Sequence, residues 1–387
     1  MLKNPFVFGE AVGGQSFCNR EREISELLRD IENGQNVLIY SPRRFGKTSL
    51  IHEVLQQVTQ RGVVGIYIDL YPILSERDFV ELYAKAIARS VKGKIEQYVE
   101  TITSLFKTLR PVITVDPSGN PEMTVDVATG REEPSISDVA EAVNRYAERA
   151  KKQIVVVFDE FQQVGLLPTD RLEKTLRSII QTHGRRIAYF FLGSKRHLIT
   201  EMFANPHKPF YKSAKHLPLG KIKEEALITF LTQQFDITGK VIDENLARLI
   251  VQITESHPYY VQHLAHIVWE NTEQHATQEV LDLSLAELLN REGVSYTNLW
   301  DTLTLNQRKL LIVLTRMKAG EKIFAKATLH RYTLGAPSSM QKTLRSLIER
   351  DLVDKTEEGY NIQDVFLKHW IRRRIGQKVL TVNHTLI

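Results

Sequence analysis

Asn36-Val37-Leu38-Ile39-Tyr40-Ser41-Pro42-Arg43-Arg44-Phe45-Gly46-Lys47-Thr48-Ser49 is the stretch that decides the fold. A short apolar run ends in a loop of small and basic residues. Helical periodicity then begins in Leu50, Ile51, Val54, Leu55 and Val58. The loop fits the phosphate-binding pattern GxxxxGK followed by Ser or Thr, with Ser41 in place of the first glycine. Gly46 lets the backbone wrap closely round an anion, and successive amides with the helix N-terminus point at it. In such a loop Lys47 reaches the β- and γ-phosphates, and the Thr48 hydroxyl turns to Mg²⁺. Ser41, Pro42, Arg43, Arg44, Phe45, Gly46, Lys47, Thr48 and Ser49 are therefore the expected nucleotide-binding residues.

Further apolar runs follow. Val63 to Asp69, Ile154 to Phe158 and Ile187 to Leu192 are apolar runs rich in β-branched and aromatic residues, and His216-Leu217-Pro218 offers a fifth short strand. Continuous apolar runs bury both faces, as parallel strands under helices do. Their alternation with helical stretches such as 78–89 implies right-handed crossovers in a doubly wound α/β layer. The third run delivers Asp159 and Glu160 at its C-terminal end, where ligands of open α/β sheets bind. Asp159 is placed to hold Mg²⁺ with Thr48. Glu160 is placed to orient or deprotonate an attacking water.

Between the second and third strands, Pro111 to Val115 and Met123 to Val127 are β-prone and flank Asp116-Pro117-Ser118-Gly119-Asn120-Pro121, a hairpin signal. This reads as an insertion over about 104–134. From Ile222 strands give way to helical repeats of Leu, Ile and Phe that end near Arg291. Helices at 305–317, 325–332 and 338–350 then precede a hairpin at 352–362, the layout of a winged helix. The expected division is 1–221 α/β domain, 222–299 helical lid, 300–375 winged helix and 376–387 tail.

Phe17-Cys18-Asn19-Arg20-Glu21-Arg22-Glu23-Ile24, upstream of the loop, and Phe158-Asp159-Glu160-Phe161-Gln162 together resemble the archaeal-type AAA+ ATPases. That branch is related to STAND signalling ATPases and, more distantly, to origin-recognition initiators. The resemblance implies a P-loop fold with a helical lid and a C-terminal winged helix. It also implies that Phe17 and Arg20 lie by the adenine and that Ser194, in Leu192-Gly193-Ser194, stands near the γ-phosphate. Pro258 would pack on the base with His257 close to the phosphates, in His257-Pro258-Tyr259-Tyr260. Asn19 departs from the usual glycine. Arg177, Arg185, Arg186 and Arg196 are candidates for an arginine finger by position only. Glu160, Lys47 and Ser194 are the expected catalytic set, and ATP or ADP with Mg²⁺ the expected ligands.

The 387 residues suit two to three domains at about 150 residues each. With 42% hydrophobic and 25% charged residues, the composition excludes collagen-like, disordered and disulfide-stapled chains. A single cysteine, Cys18, closes no intramolecular disulfide and reads as a packing residue. No apolar run approaches the roughly 20 residues of a membrane span, and the N-terminus carries no signal-like segment. A cytoplasmic protein without a membrane partner is the expectation. From Asp301 onward there are 16 Lys and Arg against 8 Asp and Glu, while the preceding 300 residues carry 35 against 38. Such asymmetry fits either DNA contact or a solvated basic face. Gln341, Lys342 and Arg345 form the polar set a recognition helix would present, with Lys355 and Arg372-Arg373-Arg374 near phosphates. Glu357-Glu358 at the wing tip opposes this. His263 and His266, three apart, read as helix-surface or core histidines rather than metal ligands. Three functions stay open: an ATPase controlling its helical and winged-helix domains, a slow ATP/ADP switch acting through a protein partner, or an ATP-gated DNA-binding regulator.

Overall fold

In the computed structural model the described residues are 3–91, 95–106, 109–115, 121–127, 134–317, 321–356 and 359–384. They form two compact units, 20–220 and a second made of 1–19 with 221–387.

The strands in chain order are β1 (Val37–Tyr40), β2 (Val64–Asp69), β3 (Leu109–Val115), β4 (Pro121–Val127), β5 (Ile154–Asp159), β6 (Ile187–Gly193), β7 (Lys215–Pro218), β8 (Val353–Thr356) and β9 (Gly359–Ile362). Every residue of β5 and β6 is buried, so both faces must be covered. They lie at the middle of a five-stranded sheet in the order β2-β5-β6-β1-β7. All its pairings are parallel, as the apolar runs predict. Register sets Tyr40 beside Gly193, and Asp69 beside Asp159, so the ends of these strands open onto one edge of the layer.

The inserted hairpin is present as the antiparallel pair β3–β4, with Pro111 opposite Val125. Its turn at 116–120 lies outside the described residues. A helix unforeseen in the sequence, Ile95–Leu105, precedes it. Tyr98, Ile102 and Leu105 share one buried face, and the Tyr98 hydroxyl donates to the Thr124 carbonyl at 2.8 Å, binding the helix to the hairpin.

In the other unit, helices Glu224–Asp236, Glu244–Ile253, Pro258–Asn271, Gln278–Arg291 and Gly293–Asp301 lead to Leu305–Arg316, Lys326–Arg331 and Pro337–Glu349, then β8–β9 and helix Val365–His384. Thr304 opens helix Leu305–Arg316 with a reciprocal capping box to Gln307. One continuous core runs through both segments, from Leu231 and Leu264 to Leu310, Leu347 and Phe366. Glu255 and Lys368 form an ion pair at 2.5 Å, and His369 Nε2 meets the Ile253 carbonyl at 2.8 Å.

The N-terminal segment packs into this same unit. Phe6 is buried in its core, Phe8 stacks on His263 at 4.0 Å, and His266 Nδ1 lies 2.8 Å from the Phe6 carbonyl. Both histidines thus serve to hold the segment. Among the described residues no helix is long and apolar enough to cross a membrane.

Candidate nucleotide site

β1 ends at Tyr40 and the chain turns sharply. Arg44 and Gly46 have φ of 66° and 84°, and Lys47 begins the helix Lys47–Gln60. The left-handed conformation at position 46 is what demands glycine, because the space a Cβ would fill holds no protein atom within 4 Å. Ser41, Phe45, Lys47 and Ser49 are buried, whereas Arg43 and Arg44 are exposed and Pro42, Gly46 and Thr48 half-buried.

Lys47 folds back into its own loop. Its Nζ donates to the Ser41 carbonyl, Ser41 Oγ and the Pro42 carbonyl, each at 3.2 Å. Burial lowers its pKa to about 8, against the opposing pull of Glu160 and Asp159.

Asp159 is buried and accepts three hydrogen bonds. Thr48 Oγ1 donates to its Oδ2 at 2.9 Å, the Tyr67 hydroxyl donates to the same oxygen at 2.8 Å, and the Glu160 amide donates to Oδ1 at 2.8 Å. Tyr67, on β2, is a residue that sequence reading overlooked. Its phenol is pushed above the usual range by burial and by the Asp159 charge, so it stays a donor.

Glu160 sits at φ 53°, which turns its side chain away from the strand direction. Its Oε2 accepts from Ser194 Oγ at 2.7 Å and from Gln162 Nε2. Ser194 is buried at the end of β6, directly after Gly193. A Cβ at Gly193 would stand 2.7 Å from Ile199 and 2.9 Å from Gln162 Oε1, so glycine there lets Gln162 approach.

Arg20 is buried, and its guanidinium donates to the Gly220 carbonyl at 2.7 Å and the Phe45 carbonyl at 3.4 Å, with Glu23 paired at 2.9 Å. It braces the phosphate loop from behind. Asn19 and Arg20 both have positive φ, at 58° and 92°, so the position where glycine was expected keeps a glycine-like backbone.

The loop, the two carboxylates, Ser194 and Arg20 are brought together in one unit. Phe17, His257 and Pro258 belong to the other. There His257 caps helix Pro258–Asn271, with Pro258 as its first residue. Of the arginine candidates, Arg196 lies over the Tyr40 ring at 5.8 Å and Arg186 pairs with Glu148 at 3.8 Å. Arg185 is exposed and Arg177 half-buried.

The winged-helix segment keeps Gln341, Lys342, Arg345 and Lys355 exposed, while Met340, Leu344 and Leu347 are buried. Arg372 is spent on the Thr315 carbonyl at 2.8 Å, and Arg373 meets Asn290 at 3.2 Å. The wing-tip pair Glu357-Glu358 lies outside the described residues.

A parallel sheet with a Lys-bearing phosphate loop after β1 and an Asp-Glu pair after β5, followed by a winged helix, defines a P-loop nucleoside triphosphatase. Residues 17–264 match the family described as "ATPase domain predominantly from Archaea", and the chain belongs to it. Residues 294–373 match the description "Probable winged helix domain". The solved Walker-type ATPase PABY2304 of Pyrococcus abyssi superposes with a TM-score of 0.62 at 16% identity, over 92% of this chain and 97% of that one. The ORC2 protein of Aeropyrum pernix, in ADPNP-ADP complexes, gives 0.55 at 14% over 92% and 96%. The ORC1 protein of the same organism, in complex with DNA, gives 0.51 at 12% over 95% of each chain. These similarities show the fold. No curated protein matches the chain.

Proposed function

We propose that the chain binds ATP and ADP at the loop Ser41–Ser49 and hydrolyses ATP with Mg²⁺, and that nucleotide state governs the helical and winged-helix segments. The observation that carries this reading is the hydrogen bond from Thr48 to Asp159, which joins the loop to the strand-end carboxylates. A threonine hydroxyl and a carboxylate are hard oxygen donors, which suits Mg²⁺ held partly by substrate phosphates. Bound there, Mg²⁺ would neutralise charge developing on the β- and γ-phosphoryl oxygens.

Lys47 supplies a mobile ammonium, poised on loop carbonyls and transferable to phosphate oxygens. The loop amides orient the phosphates. Glu160 accepts from, and so aligns, the attacking water, and Ser194 steadies Glu160 or the γ-phosphate. Arg20 keeps the loop in shape through Phe45. Phe17, His257 and Pro258 are assigned to the base and phosphates by family likeness.

The test is ATP titration of the intact chain against Lys47→Ala by calorimetry. Loss of a charged hydrogen-bond donor should weaken binding by at least about tenfold. Equal affinity in the two proteins removes the loop from the reading.

The switch alternative has one observation in its favour. Glu160 Oε2 is already engaged by Ser194 and Gln162, so the carboxylate must exchange partners before it can act on water. Turnover far below about 1 s⁻¹, the low end for enzymes, would favour a protein-partnered switch. The DNA-regulator alternative is favoured by the exposed Gln341, Lys342 and Arg345 set, and by the DNA complex of the similar A. pernix ORC1 protein. A cytoplasmic setting fits all three.

A further inference from the structure

Carboxylates offer about four lone-pair positions. On Asp159 three are filled: two on Oδ2, by Thr48 and Tyr67, and one on Oδ1, by the Glu160 amide. Thr48 Oγ1 and the Glu160 amide belong to motifs already assigned to the site. Tyr67 does not. It comes from β2, which pairs with β5 in a register that sets Tyr67 beside Val157, two residues before Asp159.

We propose that Tyr67 is a positioning residue for metal binding: its phenol fills the second position of Asp159 Oδ2 and leaves one lone pair, on Oδ1, to receive a metal-bound water. The inference rests on the site being an ATP·Mg²⁺ site. The phenol does two things that packing alone would not. It ties the carboxylate to β2 as well as to the loop, and it occupies the remaining position on the oxygen that Thr48 already uses. Thr48 spends its proton on Asp159, so its oxygen would face a cation as an acceptor. The ring itself needs no hydroxyl to pack, since its contact with His52 is ring to ring, at 5.1 Å between centroids. A partner of this kind, which orients a metal-associated carboxylate, typically contributes 10–100-fold in metal affinity.

The experiment measures ADP affinity of the intact protein by calorimetry across a Mg²⁺ series, for the parent and for Tyr67→Phe. Without Mg²⁺ the two should bind ADP alike and unfold at similar temperatures. The Mg²⁺ concentration giving half the gain in ADP affinity should rise roughly tenfold in Tyr67→Phe. In an Asp159→Asn background the same substitution should add little, because Tyr67 acts through that carboxylate. Placing 4-aminophenylalanine at position 67 keeps the ring and a donor and should restore the parent's Mg²⁺ dependence. It also serves as the comparison if Tyr67→Phe folds poorly.

An unchanged Mg²⁺ dependence in Tyr67→Phe overturns the proposal. So does a full tenfold loss that persists without the Asp159 carboxylate, or failure of the donor-bearing ring to rescue. A parent protein that binds no ADP overturns the site reading itself, a result distinct from these because it is seen before any substitution at position 67.

Discussion

Thr48 Oγ1 and Asp159 Oδ2 lie 2.9 Å apart and hydrogen-bonded, although 111 residues separate them in the chain. The bond crosses from the first turn of the helix after β1 to the last residue of β5, so it exists only once β6 has been laid between these two strands. A folded sheet and an assembled site are therefore the same event here.

Glu160→Gln should bind ATP with near-parent affinity and release phosphate at least about a hundredfold more slowly, the usual contribution of a positioned general base. The amide keeps an oxygen that can accept from Ser194, so the local fold should survive. Single-turnover hydrolysis with radiolabelled ATP is the measurement. Parent-like rates in the variant would remove Glu160 as the water-orienting residue.

Gly193→Ala should destabilise the α/β unit by about 1–3 kcal/mol, the ordinary cost of overpacking. The added methyl would press on Ile199, whose neighbours are buried, and on Gln162 Oε1. Urea unfolding followed by circular dichroism would read it. Turnover should fall as well, since Gln162 would be pushed off Glu160. A variant as stable as the parent would mean that Ile199 and Gln162 relax freely.

Mild acid should weaken the helical and winged-helix unit through His369. Burial lowers its pKa below the ordinary value near 6.5, with Arg372 and Lys368 acting in the same direction. The unfolded chain thus takes up the proton first. His369 contributes fully above about pH 6.5 and loses that contribution as pH falls through its lowered folded value. His369→Gln keeps a donor for the Ile253 carbonyl but cannot titrate. Below about pH 6.5 the parent's stability relative to this variant should fall, by at most about 1.4 kcal/mol per pH unit. Thermal unfolding of both proteins between pH 7.5 and 5 checks this. Parallel curves would assign the acid sensitivity to other groups.

If the winged helix contacts DNA, Lys342→Ala with Arg345→Ala should weaken duplex binding and flatten its salt dependence by about one unit of log–log slope per lost phosphate contact. Fluorescence anisotropy at several salt concentrations gives the slope. Binding that is absent, or indifferent to salt, rejects the DNA reading and leaves a protein partner for this face.

The parts of the molecule legible in the sequence are those whose chemistry is local. A glycine at positive φ, a lysine after it and an apolar strand ending in Asp-Glu all announce themselves within a few residues. Tyr67 was not legible because an aromatic on a strand is ordinary, and its value comes from Asp159, which meets it only across the β2–β5 pairing. The Arg20 side chain is a similar case. It looks like part of an adenine box, and its guanidinium reaches two backbone carbonyls and the Glu23 carboxylate. The helix Ile95–Leu105 has, among the described residues, three buried apolar positions, Tyr98, Ile102 and Leu105, too few to announce a helical period in the sequence. Phe6 and Phe8 had no periodicity to betray them, being two aromatics in an irregular segment whose partners are some 250 residues away.

The core shared by the helical and winged-helix segments has a mechanical consequence. Tyr260 and His263 both meet the Phe366 ring, at 4.9 and 5.6 Å, and Glu255 is latched to Lys368 beside them. Sliding one segment past the other would unzip these rings and strand apolar area in water, so the seam is a weld and not a bearing. Within this unit the two segments therefore move together, and a displacement of helix Pro258–Asn271 carries helix Val365–His384 with it.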